Sequence, residues 1–180
     1  MKKKDIILKT IILILTVAAL VLIDQWTKHI AVSSLKGKEG VSFIGDLIVW
    51  QYAENKGAAF SILQGQQWPL TIVSLIITIG IAFLYELSTP GKRYLPLRIA
   101  YIGIIAGALG NMIDRVRLNY VVDFIYVKII DFPIFNVADI CVTCSCICLI
   151  ILFIFIYKEN DSLTVLKKKK EEKEKEASNE

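Results

Sequence analysis

Asp123 and Asp139 flank the short apolar stretch that leads into the last membrane-length run of the chain. Carboxylates are costly to keep at such a boundary, and ionisable groups found there usually serve a function. Two carboxyl groups held close together cannot both ionise, so one is pushed to keep a proton while the other stays charged. The pair is an acid and a base in one site. Its charged member can take a proton from water as the water attacks a carbonyl carbon, and its protonated member can donate to the developing oxyanion. No covalent intermediate is required, which suits a chain without a Ser-His or Cys-His arrangement. The single histidine, His29, lies just past the first apolar run, away from the other clusters, and reads as a headgroup-level surface residue.

Five polar clusters accompany the apolar runs. Asp24-Gln25-Trp26-Thr27-Lys28 closes the first run, and Asn55-Lys56-Gly57-Ala58-Ala59-Phe60 precedes the second. Gly110-Asn111-Met112-Ile113-Asp114-Arg115 closes the third, Val122-Asp123-Phe124 follows, and Phe135-Asn136-Val137-Ala138-Asp139 opens the fourth. All five fall on the same side of the membrane, as one polar pocket between helices requires. Plainer roles exist for several of these residues. Asp114 beside Arg115 suits an ion pair that makes a span end tolerable. Asn111 and Asn136 suit the backbone groups of helix ends, Asn136 being a good N-cap, and Asp139 falls in a first helical turn, where the helix dipole favours a carboxylate.

The elements that must position these residues are membrane helices. With 180 residues, 55% of them hydrophobic, and a mean hydropathy of +0.57, the chain carries more apolar surface than one small soluble core can hide. Four windows are long enough to cross the hydrocarbon: about 6–23, 68–87, 95–113 and 135–157. Lys9 and Arg98 interrupt the first and third near their ends, where a long side chain can snorkel to the headgroups. Lys2, Lys3 and Lys4, the link residues Lys92 and Arg93, and Lys158 with Lys167–Lys170 all fall on one side, which is predicted to be cytoplasmic. Both termini are then inside and the polar clusters outside. No small-residue cleavage site follows the first apolar run, so that run is expected to stay as an uncleaved span. The expected fold class is an all-α membrane protein, four transmembrane helices with a small extracytoplasmic β-rich loop region. It divides into a four-span unit, 1–157, and a charged cytoplasmic tail, 158–180, which reads as a solvated, orientation-anchoring end. Val41–Ile44 and Leu47–Tyr52 read as strands joined by a Gly45-Asp46 turn, and Tyr120–Ile130 is a further β-rich run. Trp26, Trp50, Tyr52 and Trp68 supply rings suited to headgroup depth.

The four cysteines, Cys141, Cys144, Cys146 and Cys148, all lie in the fourth run. Cys141-Val-Thr-Cys144 has the spacing of a thiol redox pair, which raises a membrane thiol oxidoreductase as a rival. That enzyme needs a second exposed cysteine pair to relay electrons, and neither outward loop has one; packing of a membrane helix by small polarizable residues accounts for them better. An ion or proton transporter predicts acidic residues spaced through the depth of the bilayer, whereas these gather at one face. No metal constellation, phosphate loop or basic nucleic-acid stripe is legible, so no cofactor, no metal and no nucleic-acid partner is expected. Gly103, Ala106, Gly107 and Gly110 give the third run a small-residue face for a close neighbour.

In this order and against this four-span background, the five clusters resemble the lipoprotein signal peptidases, or type II signal peptidases, which are membrane aspartyl proteases. The likeness runs from about Asp24 to Asp139. It implies a catalytic pair at Asp123 and Asp139, with Asn55, Gly57, Asn111, Asp114, Arg115 and Asn136 lining or bracing the pocket and Asp24 as an accessory polar residue. The family's glycine pair before Ala-x-Gly-Asn is half present, because Ala106 stands where the first glycine usually does. The resemblance further implies a bacterial inner-membrane enzyme acting on lipid-modified prolipoproteins, cutting on the amino side of the diacylglyceryl-bearing cysteine. Membrane lipid and a cyclic-peptide inhibitor such as globomycin are implied as partners.

Overall fold

The computed structural model describes residues 3–45, 47–57, 65–88 and 91–157. The Asp46 turn position, Ala58-Ala59-Phe60 of the second cluster and the tail from Lys158 lie outside the described residues. Helix α1 runs over Lys3–Leu35, strand β1 over Val41–Ile44 and strand β2 over Ile48–Asn55. Helix α2 spans Gln67–Leu87, α3 spans Leu95–Leu118, strand β3 covers Val121–Val127, and α4 covers Val137–Ile151 before a π-helical turn, Leu152–Ile156. Among the described residues, four helices are long and apolar enough to cross a membrane.

Helix α3 is the axis of the bundle: α1, α2 and α4 each pack against it, and half of its apolar window is buried (50%, against 11% for α1 and α4). Small residues explain why. A methyl group added at Gly107 would collide with the carbonyl of Ala138 and the side chain of Val142, and one at Gly103 would strike the Ser145 hydroxyl, so α3 and α4 touch backbone to backbone. Val17, Tyr85, Tyr101, Ile102, Ile105 and Ala106 form the apolar core where α1, α2 and α3 meet. Most other large apolar residues of α1, α2 and α4 face outward, as a lipid-solvated bundle requires.

Two helices are longer than their hydropathy suggests. Helix α1 does not stop at Ile23 but continues to Leu35, because Asp24 and Lys28 lie one turn apart on one face, ion-paired at 2.9 Å, and no positive-φ residue interrupts the chain before Gly37. Helix α3 likewise continues to Leu118, where Asn119 adopts the left-handed conformation (φ 62°) and its N–H donates to the Arg115 carbonyl. Lys9 departs from expectation as well. Instead of snorkelling to the headgroups it is buried, and its Nζ donates to the Glu86 and Ser88 carbonyls at 2.9 and 3.0 Å. The carbonyl-rich end of α2 is a stronger attractor than the interface. Arg98 does reach back to the link, donating to the Gly91 carbonyl at 3.3 Å.

The three strands form one antiparallel sheet in the order β1-β2-β3. Asn55 pairs with Val121 and Ala53 with Asp123 in register, after a β-bulge in β2 between Trp50 and Ala53. The bulge shifts which β2 side chains look into the bundle. The sheet rests on the upper end of α1: Phe124 packs with Ala31 and Leu35, and Trp50 stacks on Phe124 with ring centroids 5.6 Å apart. Trp26 and Trp68 project from the helices, 65% and 67% exposed, and are free to sit among headgroups.

Candidate active site

Helix α4 begins at Asn136, whose side-chain oxygen accepts from the Asp139 N–H at 3.0 Å, while the Asp139 Oδ2 accepts from the Asn136 N–H at 3.1 Å. This reciprocal capping box makes Asp139 part of the helix start, facing the positive end of the dipole. The second oxygen of Asp139 accepts from Asn111 Nδ2 at 2.7 Å. Asp123, on the bundle-facing side of β3, is 2% exposed. Its Oδ1 accepts from Asn136 Nδ2 at 2.6 Å and its Oδ2 from Asn55 Nδ2 at 2.9 Å. Asn136, with no exposed surface, therefore touches both aspartates.

The amides are not free to turn. Asn55 Oδ1 accepts from the Gly57 N–H at 3.0 Å, which leaves its nitrogen for Asp123. Asn111 Oδ1 accepts from Lys28 Nζ at 2.9 Å and from Asn136 Nδ2 at 3.1 Å, which leaves its nitrogen for Asp139. Donors are thus aimed at all four carboxylate oxygens. Burial, and secondarily the charge of Asp139, pushes Asp123 up to about 7 against the opposing pull of Asn55, Asn136 and Lys28. Asp139 is half-buried, so water can approach the pair from its side.

Beneath the dyad lies a second polar layer. Lys28, itself buried, bonds Asp24 at 2.9 Å and Asp114 at 2.8 Å. Asp24 Oδ1 accepts from the Ala138 N–H at 2.9 Å, tying α1 to the first turn of α4. Asp114 Oδ2 accepts from the Val122 N–H at 3.1 Å, tying α3 to β3 beside Asp123. Gln25 Nε2 joins the Gly110 carbonyl and Asp114 Oδ1 at 3.2 and 2.9 Å. A methyl added at Gly110 would sit 2.6 Å from the Asp24 carboxylate, so this layer needs glycine there.

Every residue assigned to the pocket from the sequence is therefore drawn to one end of the bundle, with one change of partner. Asp114 pairs with Lys28, not with its neighbour Arg115. Adjacent residues on a helix point in different directions, and Arg115, half-buried, turns to where it feels the charges of Asp139 and Asp123 as well as Asp114, its Nε meeting no hydrogen-bond partner among the described residues. Lys28 and Gln25 carry no role in the sequence reading; the signal for Lys28 was the i, i+4 spacing from Asp24. The cysteines are free thiols: Cys144 and Cys146 are exposed on the bundle surface rather than packed, and Cys141 and Cys148 are half-buried. Cys141 and Cys144 are not joined, and the redox-pair spacing corresponds to no disulfide.

Comparison with known proteins accords with this geometry. A family model described as signal peptidase (SPase) II, Peptidase_A8, matches residues 16–155. A lipoprotein signal peptidase of Streptococcus pyogenes serotype M5 (strain Manfredo) is 41% identical over 132 residues, covering 73% of this chain and 86% of the relative. A bacterial membrane enzyme solved by the in meso method at 2.3 Å resolution superposes with a TM-score of 0.69 at 36% identity, over 77% of this chain and 85% of that one. A second such structure, at 1.9 Å, gives 0.69 at 35% identity over 81% and 94%. With its four membrane-capable helices and a family match over most of its length, the chain belongs to the signal peptidase II family and is a multi-pass membrane peptidase.

Proposed function

We propose that the protein is an aspartic endopeptidase that removes signal peptides from diacylglyceryl-modified prolipoproteins at the outer face of the bacterial cytoplasmic membrane. It cuts on the amino side of the lipid-modified cysteine. Asp123 and Asp139 are its catalytic residues. The observation that carries this reading is the pair of aspartates from two different elements, joined through Asn136, with Asp123 held near 7 by its burial.

Asp123 is the protonated member of the dyad and Asp139, at the N-terminus of α4, the charged one. Water held between them loses a proton to Asp139 as its oxygen bonds the scissile carbonyl carbon. Asp123 donates its proton to the carbonyl oxygen, giving a neutral gem-diol. Asp139 then gives its proton to the leaving nitrogen while Asp123 takes one back from a gem-diol hydroxyl, so that the C–N bond breaks, the new carboxyl group forms and the pair is restored. The amides of Asn55, Asn111 and Asn136 hold both carboxylates in place, so little reorganisation accompanies the reaction. The position of the site at the outer end of four apolar helices lets a peptide lie across the dyad while its acyl chains stay in the lipid. A cyclic peptide such as globomycin is expected to compete for the same pocket.

The test is cleavage of a diacylglyceryl-modified prolipoprotein peptide by the purified chain, beside the same peptide without lipid. Cleavage before the modified cysteine, with the unlipidated peptide cut far more slowly, is the expected outcome. Equal cleavage of both would overturn the substrate assignment.

A further inference from the structure

Lys28 is a fully built-in cation with an unexplained connection to the reacting pair. Its three ammonium protons meet three acceptors: Asp24 Oδ2 at 2.9 Å, Asp114 Oδ2 at 2.8 Å and Asn111 Oδ1 at 2.9 Å. The two carboxylates already balance its charge, and the third proton goes to a neutral amide. The third bond is different, because together with Asn136 Nδ2, which donates to the same oxygen at 3.1 Å, it fixes which end of the Asn111 amide faces Asp139. With Oδ1 turned to Lys28, Nδ2 must point at Asp139 Oδ1, where it donates at 2.7 Å. A flipped amide would set oxygen against carboxylate oxygen. The cation also lies within electrostatic reach of both aspartates.

We infer that Lys28 is a positioning residue for the reaction: acting through Asn111, it orients the donor that holds Asp139 and supplies the buried positive charge against which the dyad ionises once. The inference rests on the aspartyl reading above. The charged and titratable groups around this arrangement are Asp24 on α1, Asp114 and Arg115 on α3, Asp123 on β3, and Asp139 and Cys141 on α4; β2 contributes the neutral amide of Asn55. Asp24 and Asp114 take two of the three Lys28 protons. The third bond, through Asn111, is the one that runs toward the dyad.

The readout is the pH profile of kcat for the lipidated peptide, measured on full-length protein in lipid nanodiscs. Removing a nearby cation makes both carboxyls harder to ionise, so in Lys28→Met the acid limb and the alkaline limb should both move to higher pH, by about one unit. The maximum should fall roughly ten- to hundredfold as Asp139 loses its held geometry. Lys28→Arg, which keeps the charge, should restore the limb positions even where kcat stays reduced. Lys28→Gln, whose amide still donates to one carboxylate, carries the same readout if Lys28→Met fails to fold. Limbs at their wild-type positions in a folded, inserted Lys28→Met or Lys28→Gln protein would overturn the inference, whatever the rate. Asp139→Asn is assayed alongside: if it cleaves normally the aspartyl reading itself fails, and if it is inactive while the limbs stay put, only the role of Lys28 fails.

Discussion

Asn136 shows how much chemistry one side chain organises here: it caps α4, receives the Asp139 N–H, and donates to Asp123 at 2.6 Å. The neighbouring carboxyl responds to pH in a calculable direction. Asp123 is raised from 3.8 to about 7, so the fold binds a proton that the unfolded chain has already lost. Its contribution to stability is fully present below about 4, declines as pH rises and is gone above about 7. Thermal unfolding at pH 5 and pH 8 should therefore show the protein less stable at pH 8, by on the order of 2 kcal/mol from this group. The gap should shrink in Asp123→Asn. Cleavage should fall on the same alkaline side, because the deprotonated group can no longer donate to the oxyanion, and at acid pH, because the base is lost. Asp114→Asn behaves differently: its amide oxygen can still accept from Val122, but one of the two carboxylates on Lys28 is neutralised. Unfolding should register a loss of about 1–3 kcal/mol, with cleavage reduced rather than abolished. That Asp114 serves Lys28 rather than Arg115 is invisible in the one-dimensional order, where Arg115 is the nearer cation.

At the scale of elements, the site depends on how closely α3 meets α4. Gly107 faces the Ala138 carbonyl, one residue before Asp139. Gly107→Val should push the two helices apart, separate Asn111 from Asp139, and lose most cleavage together with about 1–3 kcal/mol of stability. Gly80→Ala on α2, where nothing among the described residues lies within 4 Å, is the control: cleavage should be unchanged and stability the same or raised by up to about 1 kcal/mol. The four spans, the three β-rich segments and the small-residue face of α3 were legible because each is a local pattern of hydropathy or residue size. The upper third of α1 was not: past Ile23 its polar, amphipathic residues resemble a loop until the buried Asp24–Lys28 pair is seen to need a helix. Nor was the pairing of β2 with β3, which joins segments 68 residues apart at the Asn55–Asp123 bond. The bulge that sets their register leaves no local mark.

The whole molecule places one polar layer at one end of an apolar bundle, and the proposed function requires that end to face outward. The proposed orientation, argued from the lysine and arginine distribution, puts the other end in the cytoplasm. Single cysteines introduced at Lys38 and Asn119 should react with an impermeant thiol reagent from outside the cell; labelling only after permeabilisation would put the pocket on the wrong side. The central claim is that Asp123 and Asp139 act together on water. Its most direct measurement is the single-turnover cleavage rate of lipidated prolipoprotein peptide by Asp123→Asn and by Asp139→Asn, each shown to be folded and inserted. Either change keeps the size and removes the proton exchange, so both rates should fall by roughly 10²–10⁴-fold or more; a near-normal rate for either variant would contradict the account.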